Sequence, residues 1–172
     1  MVSIVVVGPP MSGKTSLCLN LAGMATPVGN LTPAGETCCT SYLCIQVNNR
    51  EWHVWDTPRA SSSDIQGPHW VASDILKEAD VVLVCHDAQP GSNPMNYVRS
   101  CGPHRCIIVL TRKHAERDIS FYLEYLQTEA YAGQLVPIVH ANTQTLSIIR
   151  TIHKKLANRP QEDLQPYDVI EI

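Results

Sequence analysis

Charge is scarce in this chain. Only 17% of its residues are Asp, Glu, Lys or Arg, against about 25% in ordinary soluble domains. Since 44% are hydrophobic, a disordered chain is excluded and a substantial core is expected. Thirteen basic and sixteen acidic residues leave a net charge of -3, and the basic ones form no dense patch. The expectation is therefore no nucleic-acid partner. Long apolar runs are also missing: none approaches the roughly 20 residues of a bilayer-spanning helix. Met1 leads directly into a strand-like run with no basic leader, Val2 is not a myristoylation glycine, and Ile172 has no nearby cysteine to prenylate. No direct membrane anchor is expected. The seven cysteines include no CxxC pair, and neither they nor the seven histidines show the spacing of a zinc site. Reduced thiols and a cytoplasmic location follow as expectations. A Ser/His/Asp nucleophile elbow is absent as well.

What the sequence does contain is alternation. Short β-branched runs at Ser3 to Val7, Val81 to Cys85, Cys106 to Leu110 and Val136 to His140 are separated by segments of helical period, a pattern that gives a mostly parallel sheet covered on both faces. The helical faces are Leu17/Leu21/Met24, Val71/Ile75/Leu76/Ala79, a short one around Asn96 to Ser100, Ile119/Tyr122/Leu123/Leu126, and Leu146/Ile149/Ile152/Leu156. Leu43, Ile45 and Val47 alternate before Asn48-Asn49, and Trp52 and Val54 after it. That stretch reads as an antiparallel hairpin ending at Asp56. Six strands and about five helices result. Loops rich in Pro, Gly, Thr or Ser span Ala25 to Glu36 and Thr57 to Pro68. Pro160 closes the last helix, leaving residues 1–158 as one domain and 159–172 as an acidic tail.

The decisive motif is Gly8-Pro9-Pro10-Met11-Ser12-Gly13-Lys14-Thr15, followed by Ser16. It fits GxxxxGK[ST] and lies between a strand and a helix. Its glycines permit a backbone that aims successive N–H groups at one point, where the helix N-terminus adds its positive dipole end. Lys14 can neutralise terminal phosphates, and Thr15 offers a hydroxyl to Mg2+, with Asp56 able to hold one of the ion's waters. An oligophosphate is the natural ligand, and the expected fold is that of the P-loop NTPases.

On these residues the sequence resembles the Ras superfamily of small GTPases, especially its Rab-like and Arf-like branches, over roughly Val2 to Ala157. The resemblance implies GTP/GDP with Mg2+, and a threonine of the first loop that closes on the metal. By its offset from Asp56 that threonine is Thr37, with Thr32 and Thr40 as alternatives. It also implies protein effectors, or a multiprotein complex, recruited through the loops around Thr37 and Arg59.

Several positions depart from the family pattern. Asp-x-x-Gly becomes Asp56-Thr57-Pro58-Arg59, so the glycine amide that meets a γ-phosphate is replaced by that of Arg59. Ala60 stands where many members orient the attacking water with Gln, which implies slow hydrolysis. Pro10 replaces a glycine that leaves room for the γ-phosphate. Arg59 is open to two readings, an arginine finger in cis or a solvated loop residue. Of Asn-Lys-x-Asp, only Lys113 remains in Arg112-Lys113-His114-Ala115; a register headed by Thr111 puts His114 at the Asp position. Lys113 is read either as stacking under a base or as a surface lysine. Ala141 matches the alanine whose N–H would meet a guanine carbonyl. Without the Asp, guanine selectivity is weakened. The leading expectation is a slowly hydrolysing switch. The alternative is a scaffold that keeps the fold without cycling nucleotide. A small ATP-dependent kinase is disfavoured, because its arginines are scattered.

Overall fold

The structure, a computed structural model, describes residues 1–23, 41–58, 73–87, 93–111, 136–140 and 145–158. In chain order its elements are β1 (Val2–Val7), α1 (Lys14–Leu21), β2 (Ser41–Val47), β3 (Arg50–Asp56), α2 (Ser73–Lys77), β4 (Val81–His86), α3 (Pro94–Cys101), a 3-10 turn (Pro103–Arg105), β5 (Cys106–Leu110), β6 (Ile138–His140) and α4 (Thr145–Ala157). The expected helix at Ile119 to Leu126 and the acidic tail lie outside the described residues.

The six strands form one sheet in the order β2-β3-β1-β4-β5-β6. Every adjacent pair is parallel except β2 and β3. The expected six-stranded, mostly parallel α/β sheet with one antiparallel hairpin is thus the observed fold. Strands β1, β4 and β5 carry almost unbroken apolar runs because both their faces are covered. Along β1 the alternation sorts the residues between two cores. Val5 and Val7 join Val82, Val84, Met95, Val98 and Ile108 on the α3 face. Ile4 and Val6 join Leu17, Trp52, Val54, Ile148 and Ile152 on the α1/α4 face.

Local chemistry explains the boundaries. Asn48 and Asn49 take φ of 51° and 62°, the doubly left-handed pair that closes a two-residue hairpin. Asn93 caps α3 by accepting the Met95 N–H at 2.9 Å, with Pro94 already set to the helical φ. The 3-10 turn then places Arg105 where Nε donates to Cys101 O at 2.6 Å and Nη1 donates to Leu76 O at 2.8 Å, and to Lys77 O and Ala79 O at 3.2 Å each. One guanidinium therefore satisfies carbonyls at the C-terminal ends of both α2 and α3.

Candidate functional site

β1 stops at Val7 and the chain turns at once into the loop from Gly8 to Gly13. The register Val6↔Asp56 and Val7↔Val84 sets this loop between the C-terminal ends of β3 and β4. In open α/β sheets, that crevice beside the central strand is where ligands bind. An ideal Cβ on Gly8, whose φ is +150°, would stand 2.7 Å from the Cys85 carbonyl oxygen and 2.9 Å from Ser12 Oγ. Gly13 caps α1 from the left-handed region, and a Cβ there would meet the Thr111 side chain at 3.2 Å. The loop is therefore tight against both β4 and the end of β5.

Lys14, only 6% exposed, bends back over the loop, and its Nζ donates to the carbonyls of Gly8 at 3.2 Å and Pro9 at 2.9 Å. Thr15 Oγ1 donates to Asp56 Oδ2 at 2.6 Å, and Asp56 is itself buried. Thr57, fully buried, donates to Val6 O at 2.6 Å and pins the end of β3 to β1. Ser12 Oγ is buried and makes no hydrogen bond among the described residues. Pro10 and Met11 form the exposed tip, with Met11 at φ 58°, and Ser16 is exposed on the first turn of α1.

Two thiols line the same region. Burial pushes Cys85 up to about 12, with Lys14 lowering it and Asp56 raising it. Burial, then the Asp56 carboxylate, hold Cys18 well above its ordinary value. Both stay protonated at neutral pH. Lys14 and Asp56, both buried, bring an ammonium and a carboxylate to the site.

The structure brings Gly8 to Ser16 together with Asp56. Thr37, Arg59, Lys113 and Ala141 lie outside the described residues. Sequence reasoning missed Thr57 and Cys85 as parts of the cradle, although each occupies a strand end where such sites are built. Thr111, which heads the shifted register of the degenerate Asn-Lys-x-Asp segment, is the residue that meets Gly13; its N–H and hydroxyl both donate to His86 O. Linear spacing shows no zinc signature, yet folding makes a group of its own. Cys44, Glu51 and His53 converge across the β2–β3 hairpin, a juxtaposition created by strand pairing and invisible to linear spacing.

The family model of the 50S ribosome-binding GTPases matches residues 3–113, more than half of the chain. The chain belongs to this GTPase family. Membership accounts for the loop, lysine and threonine of the cradle and makes this a P-loop nucleotide-binding domain. No curated protein sequence matches the chain significantly. Solved structures share its fold. Era in complex with MgGDPNP and nucleotides 1506-1542 of 16S ribosomal RNA is 24% identical, with a TM-score of 0.65 over 96% of this chain and 59% of that one. Era from Aquifex aeolicus bound to GDP·AlF4- is 23% identical, with a TM-score of 0.64 over 92% and 56%. A GTPase structure of the chloroplast translocon components atToc33 and psToc159 is 12% identical, with a TM-score of 0.62 over 93% and 84%. The chain thus spans under three-fifths of each Era chain. These neighbours support the GTPase fold but not the Rab-like or Arf-like branch.

One expectation falls here. The exclusion of nucleic acid as a partner is overturned by Era, a family-fold protein that carries ribosomal RNA. Net charge is a sum over the whole chain, whereas RNA contact needs only a local set of cations, hydroxyls or main-chain donors. Composition alone had no power to exclude it.

Proposed function

We propose that this domain is a nucleotide-dependent switch that binds Mg2+-GTP and GDP through Gly8 to Ser16 and hydrolyses GTP slowly. The observation that carries the reading is the Thr15–Asp56 hydrogen bond of 2.6 Å directly beside the buried Lys14. A hydroxyl and a carboxylate meet at the mouth of a loop whose first glycine leaves no room for a Cβ, and their hard oxygens suit Mg2+. Thr15 and Asp56 would hold the ion, which supplies charge neutralisation at the phosphates. Lys14 supplies a second positive charge, the loop amides bind phosphate oxygens, and the Ser12 hydroxyl is a further donor facing inward. Structures of Era bound to MgGDPNP and GDP·AlF4- support the same ligand class here. Thr37 is proposed to complete the metal site, and Arg59, Lys113 and Ala141 to meet the γ-phosphate and base.

The absence of a glutamine at Ala60 makes hydrolysis slow. The output is a change of partner affinity, with protein effectors as one class and RNA as a second that the Era complex brings forward. A non-cycling scaffold is the reading that Asp56-Thr57-Pro58-Arg59 favours. Extraction of retained nucleotide and single-turnover hydrolysis separate the two. A switch yields bound guanine nucleotide and slow GTP cleavage that Asp56→Asn lowers at least about tenfold. Binding without cleavage or exchange supports the scaffold.

A further inference from the structure

The outer face of the β2–β3 hairpin holds a group of ligand atoms that the nucleotide cradle does not use. Cys44 and His53 are directly opposed across the antiparallel pair. Glu51 stands two residues before His53 and so projects from the same face. The Cys44 sulfur, a Glu51 carboxylate oxygen and a His53 ring nitrogen all lie within 4.8 Å of one another. Cys44 and Glu51 are exposed, while the His53 side chain is 22% exposed and hydrogen-bonds through Nε2 to Glu51 Oε1. On the other face of the same two strands, Leu43, Ile45, Val47, Trp52 and Val54 pack into the α1/α4 core. A one-residue slip would bury the polar trio, so the register that buries Trp52 also fixes Cys44, Glu51 and His53 as a group.

We propose that Cys44, Glu51 and His53 form a zinc site on the β2–β3 hairpin, with the fourth position open to water or to a donor from a partner. Thiolate, imidazole and carboxylate are zinc's own donor set, and three protein ligands with one open position are a recurrent zinc arrangement. Mg2+ prefers an all-oxygen shell, so the hairpin does not compete with Thr15 and Asp56. On binding, Cys44 releases its proton to solvent, and the proton on the His53 ring nitrogen that donates to Glu51 passes through solvent to the other ring nitrogen, which leaves a lone pair for the metal. No redox change is involved. A divalent cation between the thiolate and the Glu51 carboxylate offsets their mutual repulsion. The bound ion ties β2 to β3 three residues before Asp56.

The test is a Co2+ titration of the full reduced chain in excess Mg2+, followed by Zn2+ displacement. One equivalent should develop a thiolate-to-cobalt charge-transfer band that Zn2+ abolishes. Cys44→Ser should remove the band. His53→Gln and Glu51→Gln should weaken Zn2+ binding at least about tenfold, a loss that even outer-shell changes produce. Zn2+ should raise the melting temperature of the wild type but not of Cys44→Ser, with circular dichroism confirming that each variant is folded. No band in the wild type, or an undiminished band in Cys44→Ser, overturns the proposal.

Discussion

Replacing Gly8 by alanine should damage the protein far more than the same replacement at Gly23. Both glycines have positive φ, +150° and +69° respectively. At Gly23 nothing lies within 4 Å of the added Cβ, so the cost is conformational alone, about 1–2 kcal/mol. At Gly8 the backbone region is nearly glycine-only, which costs about 1–3 kcal/mol. The new methyl also meets Cys85 O at 2.7 Å, Ser12 Oγ at 2.9 Å and Cys85 Cβ at 3.2 Å. The serine can rotate away. The carbonyl cannot, because Cys85 is held in the sheet opposite Val109, and such overpacking adds about 1–3 kcal/mol. The two variants should therefore differ by about 2–3 kcal/mol, which in a domain of this size separates their melting temperatures by roughly 5–10 °C. Urea unfolding, with equal m-values for the two variants, measures the difference. Adding Ser12→Ala to Gly8→Ala should recover under about 1 kcal/mol. Equal losses at Gly8 and Gly23 would refute the close approach of the loop to β4.

Arg105→Ala should destabilise the fold by about 2 kcal/mol, since it takes the guanidinium donors away from part-buried helix-end carbonyls of α2 and α3. Arg105→Lys should restore less than half of that in thermal melts, because a single ammonium cannot reproduce the fork; full rescue by lysine would contradict the assigned geometry. Stability should fall in alkali. Cys85 titrates near 12 in the folded chain against an ordinary 9.0, so below pH 9 both states keep the proton and nothing is lost. Between pH 9 and 12 only the unfolded chain gives it up, and stability drops by about 1.4 kcal/mol per pH unit for this thiol. Cys18, also raised by burial, steepens the slope. Urea melts across that range should be shallower in Cys85→Ala, and an unchanged slope would mean that Cys85 is not buried as described.

Much of this was legible because the signals are local. The apolar runs at Val2–Val7 and Cys106–Leu110 mark strands buried on two faces, Asn48-Asn49 marks the hairpin turn, and GxxxxGK[ST] marks the cradle along with the strand and helix that flank it. Boundaries moved by a residue or two where side chains settle what period cannot: α3 starts at Pro94 because Asn93 caps it, and the last described strand begins at Ile138 rather than Val136. The contacts left unread are those made by folding. Cys85 reaches Gly8, Thr111 reaches Gly13, and Thr57 reaches Val6 only because β1, β3, β4 and β5 end side by side. Cys44 and His53 likewise meet through strand register at a separation with no metal-binding signature. The exclusion of RNA failed for a related reason, since an average over the chain says nothing about a local surface.

The central claim is that Lys14, Thr15 and the loop from Gly8 to Gly13 bind the phosphates of a nucleotide together with Mg2+. Calorimetric titration of Mg2+-GTP into the nucleotide-free protein, beside folded Lys14→Ala, tests it most directly. The account predicts one site per chain in the wild type and an affinity at least about a hundredfold weaker in the variant, equivalent to about 2.7 kcal/mol. No heat with any nucleoside triphosphate, or equal binding by Lys14→Ala, would contradict it.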